Sequence, residues 1–511
     1  MRTAAANGGT GEGAVVPEHV DVLIIGAGLS GVGAAHHLQD RCPGNSYAIF
    51  EARGAIGGTW DLFRYPGIRS DSDMHTLGYR FRPWKAAKSI ADGESILEYV
   101  RATAREAGID RHIHFHHRVL AAEWSSVEQR WTVEAERTDS GEAVRLTCGF
   151  LFNCSGYYRY DRGYTPEFAG IERFGGTVIH PQHWPADAEY AGKRVVVIGS
   201  GATAVTLVPA LAAQAAQVTM LQRSPTYVVS MPGEDPLAKR LRRWLPDRIA
   251  YPVVRWKNVL FQLVTYRLAR RFPGLVKGMV RRGVVGALPA GYDVDTHFTP
   301  AYNPWDQRMC LVPDGDLFAA LGDGSAEIVT DRIATFTETG IQLESGRELG
   351  ADVVVTATGL ELLFLGGIRL SVDGEEIDVA RAMTYKGMML SDVPNMAFTI
   401  GYTNASWTLK ADLVAEYACR LLNHMAADGY GECVPHVSDP AITEEPLMDF
   451  TSGYVLRSLE QLPKQGSKEP WKLRQNYPVD LRNLRHGSLE DGEMRFVPAA
   501  RGALADQTTA V

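Results

Sequence analysis

Two glycine patterns, each set between an apolar run and a segment of helical character, constrain the fold of this chain more than any other feature. The first follows Val20-Asp21-Val22-Leu23-Ile24-Ile25 and reads Gly26-Ala27-Gly28-Leu29-Ser30-Gly31; the next apolar run, Tyr47-Ala48-Ile49-Phe50, ends in Glu51. The second follows Arg194-Val195-Val196-Val197-Ile198 and reads Gly199-Ser200-Gly201-Ala202-Thr203-Ala204. Its next run, Val218-Thr219-Met220-Leu221, continues into Gln222-Arg223-Ser224. Each reads as strand, tight turn and helix start, where glycines let the backbone approach a pyrophosphate at a helix N-terminus. The pair predicts an α/β chain with two Rossmann-like dinucleotide-binding domains.

The residues that close the two units differ in charge. Glu51 accepts hydrogen bonds from a free ribose diol and repels a 2′-phosphate, which suits the adenosine half of FAD. Arg223, followed by Ser224, pairs with a 2′-phosphate, which suits NADPH. One such pattern is weak evidence, because glycine-rich turns occur in many loops. Two, each with the required strand before and helix after, make coincidence a poor account.

At 511 residues and 45% hydrophobic, the chain can bury more than one core. A net charge of −8 argues against nucleic acid as the main partner. The six cysteines (Cys42, Cys148, Cys154, Cys310, Cys419, Cys433) show no CxxC and no metal spacing. That points to free thiols in a cytoplasmic, reducing setting, to no metal site, and away from disulfide reductase chemistry. Residues 1–16 read as a flexible leader without the features of a signal peptide, and 500–511 as a flexible tail. No apolar run is long enough to span a membrane.

Residues 232–299 break the charge balance. Between Lys239 and Arg282 stand thirteen Lys or Arg against the single acid Asp247. Apolar and aromatic residues recur among them at helical spacing, which predicts a helical insertion. The plain reading is a small helical subdomain with its cations in water. The sharper one is a peripheral membrane contact that admits lipophilic substrates.

Between the two glycine patterns lies Phe174-x-Gly176-x-x-x-His180-x-x-x-Trp184-Pro185. Upstream stand Gly57-Gly58-Thr59-Trp60, then Tyr65-Pro66-Gly67, then Asp71. In order and spacing these strings resemble the fingerprints of type I Baeyer-Villiger flavoprotein monooxygenases. The related flavin-containing monooxygenases usually end the first motif in Tyr or Phe where this chain has Trp184. Further strings, among them Tyr302-Asn303-Pro304-Trp305-Asp306-Gln307-Arg308 and Gly401-Tyr402-Thr403-Asn404-Ala405-Ser406-Trp407, resemble the ethionamide-activating branch of that family.

The resemblance implies a discontinuous FAD domain (17–165 and 355–499) with an NADPH domain (166–231 and 300–354) and the insertion spliced into it. It implies that Arg308 and Asp71 form the active-site pair. Thr59, Trp60, Asp61, Leu62 and Val119 would join the first fingerprint around FAD, with Arg69 and Ser70 beside the nicotinamide. Phe174, Gly176, His180 and Trp184 would act at a hinge, His180 coupling domain movement. One departure is Gln307, where many members of the family carry a Lys that helps hold the 2′-phosphate; here that task would rest on Arg223 and Ser224.

The implied reaction uses NADPH, FAD and O2, through an oxygen adduct at C4a of the reduced flavin. One oxygen atom is inserted into a lipophilic linear or aryl ketone to give an ester, with sulfide or thioamide S-oxygenation as a side activity. Two alternatives stay open. One is a flavin-containing monooxygenase acting mainly on S or N, against which Trp184 and Asp71 count; the other is a non-catalytic flavin redox sensor, which has no need of Arg308.

Overall fold

The computed structural model describes residues 16–448 and 451–500. The leader and tail expected at the termini lie outside these residues, apart from Val16 and Ala500.

Two sheets organise the chain. In the nine-stranded sheet, Ala143–Asn153 pairs in parallel with His19–Ile25, which pairs with Tyr47–Glu51 and then Ile113–Phe115. Met396–Phe398 adds in parallel to the end of Ala143–Asn153, so a strand from late in the chain completes the layer. The first half of Ala143–Asn153 turns antiparallel to Arg130–Arg137, which pairs with His117–Ser125 and extends the sheet to Arg369–Val372. The central strands are apolar on both faces, as parallel strands covered on both sides require; Val22, Leu23 and Ile24 are fully buried. One face carries the fingerprint helix Leu29–Arg41 and the long helix Trp407–Asp428, which meet in a shared core through Val32, Leu38, Leu413 and Tyr417.

The second sheet is parallel throughout, in the order Ala326–Thr330, Gln217–Gln222, Arg194–Ile198, Val353–Thr356, Thr177–Ile179. Both sheets and their helices follow strand, glycine turn, helix, as the two patterns predict. Val353–Thr356 straddles the 354/355 division expected from sequence and pairs wholly within this sheet, so the chain leaves it after Thr356. The passages between the sheets run side by side. Tyr158–Gly163 and Leu360–Leu362 form a short antiparallel ribbon, reinforced where Tyr164 N–H donates to the Gly359 carbonyl at 3.2 Å.

Residues 232–299 are helical, as their periodicity predicts. The helices are Pro236–Trp244, Asp247–Arg271, Pro273–Ala287 and Val294–Phe298. No helix among the described residues is long and apolar enough to cross a membrane.

Candidate active site

The first glycine turn is shaped by contacts that exclude side chains. Gly26 has φ +101°, and a Cβ there would lie 2.7 Å from the Cys154 carbonyl oxygen; at Gly31 it would lie 1.8 Å from the Gly26 oxygen. Gly28 faces only Gly58, whose Cα would be 3.6 Å away. The helix that starts at Leu29 has no side-chain cap, so its first N–H groups await an outside acceptor.

A cavity of about 970 Å³ opens from this turn, lined by Gly26, Gly28, Ser30, Glu51, Thr59, Trp60, Leu62 and Val119. The Glu51 carboxylate is buried and accepts from the backbone N–H groups of Ala27 (2.7 Å) and Arg53 (2.9 Å). Burial pushes its carboxyl above the ordinary range, and the two N–H donors oppose that shift. Glycine cradle, uncapped helix start and buried carboxylate fit the pyrophosphate and ribose of a flavin dinucleotide.

Asp61 is placed elsewhere. Its carboxylate is gripped by Arg53 (2.7 Å), Arg64 (2.6 Å) and Arg101 (2.8 Å) and does not line the cavity. Its role here is to tie three chain segments together beneath the site, and the contact with a cofactor expected from sequence is corrected accordingly. Gly31 also lies off the cavity wall, where its lack of a side chain serves the turn itself.

The cavity continues past Arg69, Ser70 and Asp71 to Arg308. Arg308 Nε lies 3.1 Å from Asp71 Oδ2 in an ion pair that is part-exposed on both sides (36% and 38%). Asp71 is the main reason the guanidinium is held even further above its ordinary range. Apart from Asp71, no side chain among the described residues pairs with the Arg308 guanidinium. Tyr157, Tyr158 and Tyr454 stand close enough to feel its charge, and burial keeps each phenol protonated. Arg69 pairs with Asp316, and Ser70 Oγ donates to the Ser72 carbonyl at 2.5 Å.

Asp71 and Arg308 also line a second cavity of about 510 Å³. Its surface is mostly apolar, with Val228 and Leu311 from the paired strands Val228–Met231 and Cys310–Pro313, Trp305 and Met309 beside Arg308, and Phe261, Leu268 and Val280 from the insertion, while Asp73, Asp235, Lys257, Asn258 and Gln262 give it a polar side. The ion pair therefore sits in the wall common to a long polar-ended cavity and a smaller greasy one.

The second glycine turn repeats the design of the first. Gly199 has φ +139°, with a Cβ position 2.3 Å from the Ala357 oxygen, and Gly201 faces open space at an uncapped helix start, Ala202–Ala212. The large cavity reaches this unit only through Ala202, Thr203 and Thr206. Ala204 is buried in the core beneath. Ser200 Oγ donates to the Ser224 carbonyl at 3.2 Å, and Arg223 and Ser224 are exposed at the end of Gln217–Gln222. Arg223 forms no ion pair among the described residues, which leaves its guanidinium open to a phosphate. The Tyr65-Pro66-Gly67 turn packs onto this helix, where a Cβ on Gly67 would lie 2.7 Å from Ala210 Cβ.

With this geometry established, comparison with known proteins decides the family. A family profile described as flavin-binding monooxygenase-like matches residues 87–260, and one for NAD(P)-binding Rossmann-like domains matches 24–90. The FAD-containing monooxygenase EthA of Mycobacterium tuberculosis is 60% identical over 480 residues, covering 94% of this chain and 98% of the relative. EthA of Mycolicibacterium smegmatis is 55% identical over 480 residues, covering 94% and 97%. The chain belongs to the FAD-containing monooxygenase family. Solved structures share the fold of this flavin monooxygenase. An oxidized steroid monooxygenase bound to NADP matches with a TM-score of 0.73 at 23% identity, covering 94% of this chain and all of the other. Cyclohexanone monooxygenase from Rhodococcus sp. Phi1 bound to NADP+ matches with 0.73 at 20% identity, covering 95% and 100%.

Within the monooxygenase, the motif between the two glycine turns is mainly structural. Phe174 packs edge-on against Phe336, and Trp184 edge-on against Tyr190. A Cβ on Gly176 would lie 2.4 Å from the Asp352 carbonyl oxygen, so the strand Thr177–Ile179 could not enter the sheet with another residue there. His180 lies against the ribbon between the sheets. A Cβ on Gly163 would strike its ring at 1.9 Å, and its Nδ1 accepts from Gln182 N–H at 3.2 Å.

Aromatic side chains complete the site, and of these the sequence reading singled out only Trp407. Trp407 stacks on Tyr157 with centroids 5.2 Å apart and donates from Nε1 to Ser30 Oγ at 2.7 Å, joining the late helix to the first fingerprint. Tyr160 meets Thr59 Oγ1 at 3.0 Å. Tyr157, Tyr158 and Tyr160 cluster directly after the Ser155-Gly156 turn, a concentration of phenols that is the local signal for them.

Proposed function

We propose that this chain is an NADPH-dependent Baeyer-Villiger monooxygenase that inserts one oxygen atom of O2 into lipophilic linear or aryl ketones to give esters. Oxidation of sulfides and thioamides at sulfur is a side activity of the same site. The observation that carries this reading is the Arg308–Asp71 pair in the wall shared by the two cavities. NADP in the two neighbouring structures supports the nicotinamide cofactor.

In this reading Gly26, Gly28, Ser30, Glu51, Thr59, Trp60, Leu62 and Val119 hold FAD, and Gly31 shapes the turn that cradles it. Gly199, Ser200, Gly201, Ala202, Thr203, Arg223 and Ser224 hold NADPH, with Ala204 packing the helix beneath them and Arg69, Ser70 and Asp71 on the nicotinamide side. FAD, when bound, supplies electron transfer from NADPH to O2 and delivery of one oxygen atom to the substrate. Arg308 stays protonated at every working pH and offers fixed N–H donors to negative charge developing on the substrate carbonyl oxygen. Asp71 holds Arg308 in place and keeps its charge from being isolated. The apolar part of the smaller cavity's wall binds the ketone's hydrocarbon parts and keeps water from them. Six buried, unpaired cysteines support a reducing, cytoplasmic setting.

The test compares Arg308→Ala with the parent enzyme. Ester formation should fall by about a hundredfold to a thousandfold, the range for losing one preorganised oxyanion donor. Flavin reduction by NADPH and oxidation of a soft sulfide should fall much less. Equal losses for ketone and sulfide would remove Arg308 from carbonyl chemistry and favour the reading as an S- or N-oxygenase.

A further inference from the structure

The long insertion helix Asp247–Arg271 is amphipathic in an unusual sense, because it turns one apolar stripe toward the core and a second toward solvent. Ile249, Val253, Trp256, Leu260 and Val264 recur at intervals of three and four, hence on one face, and all are exposed, Val264 by 60%. The stripe runs on into the exposed cations Arg267 and Arg271. Neighbouring helices add Trp244, Leu275 and Met279. Among the described residues, twelve of the sixteen large exposed hydrophobics lie between Trp244 and Val285. Monomeric proteins rarely leave so contiguous an apolar surface to water.

The charge around this surface selects what covers it. Some of the basic residues are spoken for: Arg255 is buried, Lys257 pairs with Asp235, and Arg281 with Asp295. Arg240, Arg243, Arg248, Arg267, Arg271 and Arg282 are exposed and form no ion pair among the described residues. A second copy of this chain would bring the same cations face to face, which opposes self-association. A bilayer with anionic headgroups meets both demands, taking the apolar side chains into its interface and the arginines among its phosphates.

We propose that the outer face of residues 244–285 is a peripheral docking surface for an anionic lipid bilayer. Docking brings the smaller cavity toward the lipid, because Phe261 and Met279, on the two helices that carry this surface, both line that cavity and are half-exposed (50% and 54%). A lipophilic substrate then enters between the helices Asp247–Arg271 and Pro273–Ala287 without crossing water. The docking stands independently of the reaction proposed above; only this entry route rests on it.

The experiment floats the FAD-loaded full chain with vesicles of phosphatidylcholine alone or with added phosphatidylglycerol, at low and high salt, with no turnover required. The protein should rise with the anionic vesicles at low salt, stay behind with neutral ones, and be released in part by salt. The double variant Arg248→Glu/Arg267→Glu should weaken partitioning by about thirtyfold or more, at about fivefold per cation. Leu260→Glu/Val264→Glu should abolish it, while both variants retain bound FAD and the parent's thermal unfolding midpoint. Failure to float with anionic vesicles, or flotation unchanged in both variants, overturns the proposal. So does a dimer that Leu260→Glu/Val264→Glu dissociates without any vesicle binding, since the face would then be a subunit interface.

Discussion

Glu51 and Arg223 close their units at equivalent points, after the strands Tyr47–Glu51 and Gln217–Gln222, yet one is buried on backbone donors and the other exposed. The contrast predicts that Arg223→Ala weakens NADPH by about tenfold to a hundredfold, the worth of hydrogen bonds to a charged group, and leaves NADH unchanged. Steady-state constants for both cofactors check this, and an unaltered NADPH/NADH ratio would place the 2′-phosphate elsewhere. His180 gives a pH test. Burial holds its imidazole below the ordinary value, so the unfolded chain takes up a proton first as pH falls below about 6.5. The stability tied to His180 is therefore present above that pH and lost below it. Thermal melts of His180→Gln should fall less between mildly alkaline and mildly acidic pH than those of the parent; parallel slopes would contradict this. At this scale the sequence was informative where a residue's partner lies within its own motif or a matching one, as for Arg308 and Asp71. It placed Asp61 with FAD, because nothing in the motif shows that Arg53, Arg64 and the distant Arg101 converge on that carboxylate.

At the scale of elements, periodicity marked the insertion as helical but could not tell which of its cations face inward. Arg255 is buried. Its Nη1 donates to the carbonyls of His75 (2.7 Å) and Gly78 (2.8 Å), anchoring the long helix to the segment that follows Asp71. Asp412 of the helix Trp407–Asp428 lies 3.7 Å from Arg255 Nη2 and also meets His37 at 3.3 Å, so three helices share one buried polar cluster. Arg255→Ala takes the guanidinium away from Asp412 and leaves the carbonyls unsatisfied, and should cost about 3 kcal/mol. Chemical unfolding measures that cost, and limited proteolysis should show new cleavage within 232–299. Unchanged resistance in that segment would mean that the apolar contacts alone hold the insertion down.

On the scale of the whole molecule, two sheets meet along a ribbon of two chain passages, and the active-site pair draws its members from either side of it. The glycine turns made the two sheets legible, since each combines a strand, a turn and a helix within a short stretch. The closeness of the two passages was not legible, because it rests on contacts such as Gly163 with His180 and Tyr164 with Gly359, which no short pattern encodes. Gly163→Ala would force the His180 ring to move and should cost about 1–3 kcal/mol by overpacking, measured as a lower unfolding midpoint. NADPH oxidation should also become less coupled to product as the sheets lose their fixed relation. The most direct test of the proposed function is product analysis with isotopically labelled O2. FAD-loaded enzyme, NADPH, a linear lipophilic ketone and ¹⁸O₂ should give an ester carrying one labelled oxygen, with NADPH consumed in equal amount, and Arg308→Ala should lose that ester. A labelled sulfoxide from a sulfide, with the ketone returned unchanged by the parent enzyme, would contradict the account.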